Sequence, residues 1–472
     1  MTGKKRSICS AVLLGLLGSS TAYAGPFDLY GAGARGSSMG AQVADAQGPW
    51  AVYYNVGALT EAPVGATVGA FATHNGAQIL LMDRPEGYDI PAIDAANVAP
   101  ATDSEKNPRS DTDGIDPMYG LVFGGVTSLG TTRFRLGFVA FLPTQELLGL
   151  PTHYNDERER LFSNKLKFEL IDQHPRRFDA EAGVAYRITD WASFGIGGTF
   201  LTGADVATDV YLQDPTDQSD IDINADVHTV NRWGLLAGLQ LRLPQHIQVG
   251  VAYRGPVAFR ISGENRLQVS GIADDAEQPR QQLDWTPKYS PGSLAVGLAW
   301  QAGDYRLAAD AKWVLWSDYR DTHSQRTTFD DVLQTRLGLE YTYSSDDKLR
   351  VGVGFDPSPI PEQDGRTNYV DNDRVLASLG SSHQVLLAGA GFEFSWFLQF
   401  QLLLTHETLK SRNIVPCSAS ATSLCDEVPD NLVNPRTGQP YPEAQGAQIG
   451  NPGFPGYTSG GWIGALGAEV TF

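Results

Sequence analysis

The sequence lacks the long hydrophobic runs from which helical membrane proteins are built. A helix that crosses a bilayer needs about 20 consecutive apolar residues, and no run of about 18 occurs beyond residue 24. Mean hydropathy is −0.21. These observations exclude a helical inner-membrane protein. They leave open a transmembrane β-barrel, because barrel strands are apolar on one face only.

Basic residues are also scarce. The chain has 35 Lys and Arg against 54 Asp and Glu, which gives a formal net charge of −19. Nucleic acids and anionic phosphate surfaces bind proteins through clustered positive charge. The charge balance therefore argues against both as partners.

Cysteine is rarer still, with three residues in the chain. Cys9 lies in the N-terminal leader, and Cys417 and Cys425 share one polar stretch. In an exported protein such a pair predicts a local disulfide. The alternative is half of a metal site, but a second pair of ligands is missing nearby. We therefore predict the disulfide Cys417–Cys425, with no metal and no cofactor.

Histidines are few and scattered, and none lies in a recognisable nucleophile motif. A hydrolase would need a Ser–His or Asp–His arrangement. The sequence therefore predicts that the protein is not an enzyme. The eight histidines are at positions 74, 153, 174, 228, 246, 323, 383 and 406.

Residues 1–24 read as a secretory signal peptide. Basic residues occupy positions 4–6, an apolar core covers 11–18, and a small-x-small cleavage pattern closes the segment at 22–24. The predicted mature chain then begins near Gly25 and is exported.

Glycine and aromatic residues are abundant, with 51 glycines and 10% aromatics, and apolar residues alternate with mixed ones in many segments. In the last segment every second residue from Trp462 to Phe472 lies on one face, as strand geometry requires. We count fourteen such segments, separated alternately by short and long connections. The pattern predicts an all-β fold, a 14-stranded antiparallel transmembrane β-barrel over residues 63–472 with both termini in the periplasm. One short turn is expected near Ser395-Trp396, and the long external loops are expected at about 73–117, 143–177, 357–382 and 411–459.

The opposite faces of these strands carry charges of both signs, which a lipid-facing surface does not tolerate. We therefore predict that these side chains line the lumen. They could pair with one another and with water, or some could bind a carboxylate substrate, and the sequence does not choose between these roles. The candidates are Arg135, Arg254, Asp310, Lys312, Arg336 and Glu340.

Residues 25–62 differ from the rest, since they are rich in small residues and show short helical patterns instead of alternation. A barrel of fourteen strands is too wide for its own side chains to fill. We predict that this segment is a hatch, or plug, inside the lumen.

The segment YGAGARGSSMGAQVADAQGPWAVYYNVGAL resembles the N-terminal hatch of the FadL family of outer-membrane transporters, which includes TodX-type hydrocarbon porins. Further similarity lies in GFVAFLP, KYSPGSLAVGLAW, ADAKWVLWSDY and LRVGVGFDPSPIPE. The resemblance implies a plugged 14-stranded barrel, ligand capture by external loops, and lateral escape into the bilayer beside a kinked strand. This chain departs from the family at Asn55-Val56-Gly57-Ala58-Leu59, where the usual proline is absent. The hatch and gate candidates are Gly31, Gly33, Arg35, Met39, Gly40, Asn55 and Gly57.

The resulting hypothesis is passive transport of hydrophobic molecules, foremost long-chain fatty acids, across the outer membrane of a Gram-negative bacterium by a monomer. Aromatic or alkane hydrocarbons are the alternative cargo, and a structural or adhesive surface protein is the alternative class. The expected partners are the ligand, outer-membrane lipid and lipopolysaccharide. Apolar residues in the second long loop either capture the ligand or pack the loop onto the barrel rim. They are Leu147, Leu148, Leu150, Leu161 and Phe162.

Overall fold

The computed structural model describes most of the predicted mature chain. The described residues are 26–82, 109–110, 117–128, 130–144, 167–168, 170–171, 178–214, 217–269, 280–320, 326–363, 369–387, 389–410 and 455–472. The predicted signal peptide, the predicted disulfide Cys417–Cys425 and the predicted capture residues Leu147, Leu148, Leu150, Leu161 and Phe162 lie outside them.

Strands dominate the described residues. In chain order they are β1 Gly65–Asn75, β2 Gln78–Leu81, β3 Arg109–Ser110, β4 Tyr119–Ser128, β5 Phe134–Pro143, β6 Lys167–Phe168, β7 Asp179–Arg187, β8 Ala192–Asp214, β9 Asp217–Leu243, β10 Ile247–Arg254, β11 Val257–Val269, β12 Arg280–Ser290, β13 Gly292–Ala302, β14 Tyr305–Leu315, β15 Val332–Thr342, β16 Asp347–Asp356, β17 Tyr369–Val370, β18 Arg374–Leu387, β19 Ala390–Leu409 and β20 Gly456–Thr471.

Helical structure is short and lies mainly before the first strand. The helices are α1 Phe27–Tyr30, α2 Gly33–Met39 and α3 Ala51–Tyr54, with 3₁₀ turns at Gly48–Trp50, Val56–Glu61 and Trp316–Asp318. Among the described residues no helix has the length and apolar character needed to cross a membrane.

Fourteen strands close into a ring, which confirms the predicted barrel. The antiparallel order is β1-β4-β5-β7-β8-β9-β10-β13-β14-β15-β16-β18-β19-β20. The ring closes because β20 pairs with β1, with Ala70 opposite Ala468, while Ala70 also lies opposite Leu121 of β4. The barrel therefore has no open edge along these pairings.

Alternation along the strands sets the two surfaces of the wall. Outward-facing apolar side chains are exposed, as Leu337 and Leu398 illustrate, whereas Glu340 and Gln401 point inward and are buried. A lipid-facing surface is apolar and a lumen can be polar. The faces predicted from the sequence are thus the faces that the barrel presents.

The two ends of the barrel differ. Six tight hairpins, β4–β5, β7–β8, β9–β10, β13–β14, β15–β16 and β18–β19, lie at the end where β1 begins, and we call this the short-turn end. The longer connections lie at the opposite end, which we call the long-loop end. At the long-loop end β8 and β9 continue pairing as far as Asp214 and Asp217.

Further connections contain strands that the sequence did not predict. β11 and β12 form a hairpin between barrel strands β10 and β13, and β11 also pairs in parallel with the outer part of β8. The loop expected at 73–117 begins inside a strand, since β1 runs to Asn75 and β2 then pairs with β20. In the loop expected at 143–177, β6 pairs with β17.

The turn predicted near Ser395-Trp396 is wrong. Both residues lie within β19, and Ser395 pairs with Ser382 of β18. The hairpin reverses instead between Leu387 and Ala390. Its apolar tip lacks the polar residues that usually mark a turn. The predicted loop 357–382 is also too long, because β18 already begins at Arg374.

The N-terminal segment, residues 26–62, lies inside the ring. Its helix α2 contacts β15, β16, β18, β19 and β20, and its last 3₁₀ turn contacts β5, β7, β8, β9 and β10 on the other side. Nearly all of its side chains are buried. The segment therefore lies between opposite sides of the wall, which is consistent with the hatch prediction.

Candidate functional site

A central cavity lies between the N-terminal segment and the inner wall of the barrel. Its volume is about 100 Å³. One part of its lining is apolar, with Phe27, Leu29 and Val52 from the segment and Leu236 from β9. The charged groups that also line it are Asp28, Arg254, Asp310, Lys312 and Arg336. An apolar space with a few charged groups is the usual form of a small-molecule site.

Arg254 fixes one side of the cavity. Its guanidinium forms a salt bridge with Glu181, donates to the carbonyl of Tyr53 at 3.0 Å and lies 4.4 Å from the centre of the Tyr53 ring. A paired and stacked guanidinium is held in place. Arg254 therefore positions α3 against the wall.

Asp28 and Lys312 form the least tightly packed charged group of the cavity. The Asp28 carboxylate accepts from the Tyr53 hydroxyl at 2.7 Å and from Ser290 at 3.2 Å. Lys312 Nζ lies 3.4 Å from the same carboxylate, and its side chain is 28% exposed. Burial and the Asp28 carboxylate raise the pKa of Tyr53 well above its ordinary value, so this hydroxyl remains a proton donor. Lys312 thus presents a cation that an incoming anion can reach.

Asp310 and Arg336 hold the middle of the N-terminal segment. Asp310 accepts from the backbone N–H groups of Gln42 and Val43, the latter at 2.9 Å. Arg336 pairs with Asp356 through two hydrogen bonds of 2.5 and 2.7 Å. These contacts give two predicted lumen residues a role in holding the segment and its surroundings.

Arg35 is the centre of the largest ionic network in the segment. Its Nε donates to Glu340 at 3.1 Å and its Nη1 to the Asp45 carbonyl at 2.7 Å, while its Nη2 pairs with the Asp45 carboxylate. Arg350 donates to the same Glu340 oxygen at 2.7 Å, and Arg306 pairs with Asp45. Burial alone would lower the pKa of Arg35, but the two carboxylates outweigh it and raise the pKa. Arg35 therefore stays charged and ties α2 to β15.

Asn55 anchors the far end of the segment. Its Oδ1 accepts from Gly57 N at 3.0 Å, which caps the last 3₁₀ turn. Its Nδ2 donates to the carbonyls of Val43 and Leu239 at 2.8 and 3.1 Å and to Gln240 at 3.0 Å. Asn55 thus links two parts of the segment to β9 without the proline of the family pattern.

Gly57 permits the close approach that these bonds require. A Cβ at this position would lie 2.7 Å from the carbonyl oxygen of Gly238 on β9. Since real side chains avoid contacts this short, glycine is needed here.

The remaining hatch candidates surround α2. Gly33 has φ of +73°, and the ring of Trp50 occupies the space where its Cβ would be. Gly31 follows α1 and lines the central cavity. Met39 is fully buried, and Gly40 ends α2 against the side chain of Arg336.

The structure places the six predicted lumen residues in three parts of the barrel. Arg254, Asp310, Lys312 and Arg336 line the central cavity. Glu340 lies in the Arg35 network. Arg135 lies near the short-turn end, where it donates to the Thr131 and Phe134 carbonyls at 3.3 and 3.1 Å. Sequence reasoning missed Asp28, Tyr53 and Ser290, because no spacing pattern links residues that only the fold brings together.

An aromatic cluster lies towards the long-loop end. Tyr319 stacks on Phe329 at 4.7 Å between ring centres and meets Tyr289 edge-on at 5.5 Å. Phe329 in turn meets Tyr369 at 5.3 Å. These rings belong to the same continuous apolar cluster as Phe27 and the rest of the N-terminal segment. Apolar packing therefore extends without interruption from the long-loop side to the central cavity.

Metal binding finds no support in the part of the chain that the structure describes. Within those residues no three His, Cys, Asp or Glu side chains converge as a metal site would require. The predicted absence of a metal therefore stays a prediction for the chain as a whole.

Sequence comparison identifies a matching family model and curated relatives. A family model described as outer membrane protein transport protein (OMPP1/FadL/TodX) matches residues 172–397. Alkane uptake protein A of Marinobacter nauticus is 22% identical over 368 residues, which is 70% of this chain and 73% of that protein. The long-chain fatty acid transport protein of Escherichia coli K12 is 23% identical over 246 residues, covering 42% of this chain and 54% of that protein.

Solved structures share the fold. A Pseudomonas aeruginosa FadL homologue superposes with a TM-score of 0.54 at 13% identity, covering 96% of this chain and 98% of that one. The Pseudomonas putida toluene transporter TodX gives 0.50 at 14% identity, covering 94% and 99%. The family-model match, the curated relatives and the shared barrel fold all support the OMPP1/FadL/TodX family of outer membrane transport proteins.

Proposed function

We propose that this protein passively transports long-chain fatty acids across the outer membrane. The ligand is captured at the long-loop end, passes the N-terminal segment and is released laterally into the membrane. The observation that carries the proposal is the continuous apolar cluster, which runs from the aromatic rings near the long-loop end to the central cavity. Along this route the chain of a fatty acid stays out of water.

Capture is the first step. Transferring apolar surface from water to an apolar environment is favourable by roughly 25 cal/mol per Å². Tyr289, Tyr319 and Phe329 supply such an environment. A part in capture for Leu147, Leu148, Leu150, Leu161 and Phe162, which lie outside the described residues, stays a prediction.

Passage requires movement of the N-terminal segment. The central cavity holds about 100 Å³, the volume of roughly three water molecules, which is less than a long acyl chain needs. The segment is held by an ion pair of Arg35 and by hydrogen bonds to Asp310 and from Asn55. A ligand can therefore enter by displacing part of the segment while the barrel stays intact.

Lys312 supports a carboxylate as the head group of the ligand. Arg254 and Arg336 each already hold a carboxylate of the wall, Glu181 and Asp356. The Lys312 ammonium lies farther from its partner Asp28, at 3.4 Å, and is partly exposed. It can therefore exchange Asp28 for the ligand's carboxylate.

Alkane or aromatic hydrocarbon is the second candidate cargo. It is favoured by the wide alignment with alkane uptake protein A and by the internal pairing of Arg254 and Arg336, which leaves much of the cavity effectively neutral. A neutral cargo would use the same apolar route and make no demand on Lys312.

The proposed orientation places the short-turn end in the periplasm. Outward-facing aromatic residues mark the lipid–water boundary there, as they do in outer-membrane barrels. They include Trp191, Trp300, Tyr305, Tyr343 and Phe472. With an even number of strands, both ends of the barrel then lie on the periplasmic side, and the protein functions as a monomer in contact with lipid and lipopolysaccharide.

Uptake of labelled oleate and labelled toluene by a deletion strain and its complement tests the proposal. We expect the complemented strain to take up oleate faster than the deletion strain. Faster uptake of toluene alone would favour the hydrocarbon alternative. No difference for either compound would contradict transport of both cargo types and favour a structural or adhesive role.

A further inference from the structure

The rim of the barrel at the short-turn end is uneven. β18 pairs with β16 as far as His383, opposite Asp347, and β19 pairs with β20 from Glu393, opposite Thr471. Residues 384–387 and 389–392 therefore stand beyond the ladders on both sides, with one last bond from Gln384 N to the Asp346 carbonyl. We call this projecting part the rim hairpin.

The rim hairpin is apolar, unlike other turns at this end. From Val385 to Phe392 its sequence is VLLAGAGF, and the side chains of Leu386 and Leu387 are 81% and 65% exposed. The β7–β8 and β15–β16 turns instead carry Thr189-Asp190 and Ser344-Ser345-Asp346. Exposed apolar groups of this kind mark a surface that meets another apolar group.

A pocket of about 440 Å³ lies beside the rim hairpin, and we call it the rim notch. Gly48 and Pro49 of the N-terminal segment form its inner side, and Phe392 and Phe472, whose ring centres are 6.3 Å apart, belong to its outer side. Val64 and Leu386 add further apolar surface, and the polar part of the lining comes from Asp346, Gln384, Glu393 and Thr471. The volume lies in the range of small-molecule sites. The notch thus connects the underside of the segment with the lipid-facing side of the rim.

The barrel wall above the notch is closed along the described strands. Of the strands next to the notch, β1 pairs with β20 and with β4 in unbroken register, and β16 pairs with β18 in the same way. Register shifts in the described barrel pairs fall in β8–β9 near Leu212 and in β19–β20 near Leu403, both towards the long-loop end. A molecule below the N-terminal segment therefore has more room at the rim notch than through this part of the wall.

We propose that the rim notch is an exit site that binds the apolar chain of the transported molecule and passes it to the adjacent lipid leaflet. The inference rests on the proposed function and locates its release step. The occupant is the cargo because the notch adjoins the segment that closes the lumen and ends at outward-facing aromatic rings. Leu386 and Phe392 then cover the apolar chain as it leaves the barrel.

Substitution of Gly391 by tryptophan tests the exit site. A Cβ at Gly391 meets nothing within 4 Å, and the residue lines the notch, so the new ring can fill the notch without strain. The matched control is Ala390→Trp, which adds the same bulk to the outward face of the same strand. We expect oleate uptake by cells to fall several-fold for Gly391→Trp and to stay near the wild-type rate for Ala390→Trp, with unchanged oleate affinity of both purified proteins.

Several outcomes would overturn the exit site. Oleate uptake at the wild-type rate by Gly391→Trp would overturn it. Equal losses of uptake in Gly391→Trp and Ala390→Trp would also overturn it and would indicate that a protein strand binds the edge of the hairpin. A matching loss of oleate affinity would place the defect before release. Leu386→Asn adds no bulk and keeps the test decisive if Gly391→Trp misfolds. Uptake at the wild-type rate by Leu386→Asn would also count against the site. Absence of uptake by the wild-type protein overturns the proposed function together with the exit site.

Discussion

Arg35 provides the sharpest test of how the N-terminal segment is held. Arg35→Met keeps much of the side-chain volume but removes the bonds to Glu340 and Asp45. Breaking a buried ion pair typically costs 3–5 kcal/mol. We expect the lower end, about 3 kcal/mol, because Arg350 still binds Glu340 and Arg306 still binds Asp45. The substitution destabilises the closed position of the segment by this amount and leaves the barrel intact, because the barrel ladders do not depend on Arg35.

Thiol labelling measures the displaced population. Ser38 is fully buried in α2. The substitution Ser38→Cys, in a background with Cys417 and Cys425 changed to serine, therefore gives a thiol probe that reacts only when the segment moves. At 1.4 kcal/mol per factor of ten, a loss of about 3 kcal/mol raises the labelling rate about 100-fold. Arg326 is the matched control, because its pair with Asp318 is 64% and 65% exposed and contributes about 1 kcal/mol or less.

The outcome is decided by the ratio of the two rates. If the thiol probe is labelled equally fast in Arg35→Met and in Arg326→Met, the Arg35 network does not hold the segment. Heat-modifiable migration in gels checks that the barrel of each variant remains folded. A barrel that unfolds with Arg35→Met would also contradict the view that the segment moves independently.

Three further predictions concern binding, closure and packing. Lys312→Met should weaken oleate binding about tenfold and leave hexadecane binding unchanged. The control Lys348→Met should change neither, because Lys348 is equally exposed at 28% but lies outside the central cavity. Equal effects of Lys312→Met on both ligands would contradict the head-group role. Deleting residues 25–62 should give an ion-conducting pore in planar bilayers, and conductance at the intact level would mean that the segment is not the plug. Gly57→Ala should destabilise the closed segment by about 1–3 kcal/mol and speed labelling of the thiol probe. Gly391→Ala should not, because a Cβ there meets open space. Equal labelling rates of the two variants would refute the packing constraint at Gly57.

The barrel could be predicted from the sequence because its physical cause is local. Each wall residue faces either lipid or lumen, so alternation alone identifies β14, β15 and β20. The same reasoning failed at β18–β19, where the turn is apolar and polar turn residues are absent. It also failed at β11 and β12, because their pairing with each other and with β8 lies outside the simple order of the wall.

The site could be predicted only in part. Arg254, Asp310 and Lys312 were identified as lumen residues by their charge on an inward face. Their partners were not, because the contact of Lys312 with Asp28 joins residues 284 positions apart. Nothing in local periodicity records such a pairing.

Photoaffinity mapping tests most directly whether cargo passes through the barrel interior. A fatty acid carrying a photoreactive group is crosslinked to the protein in outer membranes, with and without excess oleate. The expected result is labelling of segments 27–31 and 52–56, which line the central cavity, and loss of that labelling when oleate competes. Labelling confined to lipid-facing side chains such as Leu337 and Leu398, with no effect of oleate, would contradict transport through the interior.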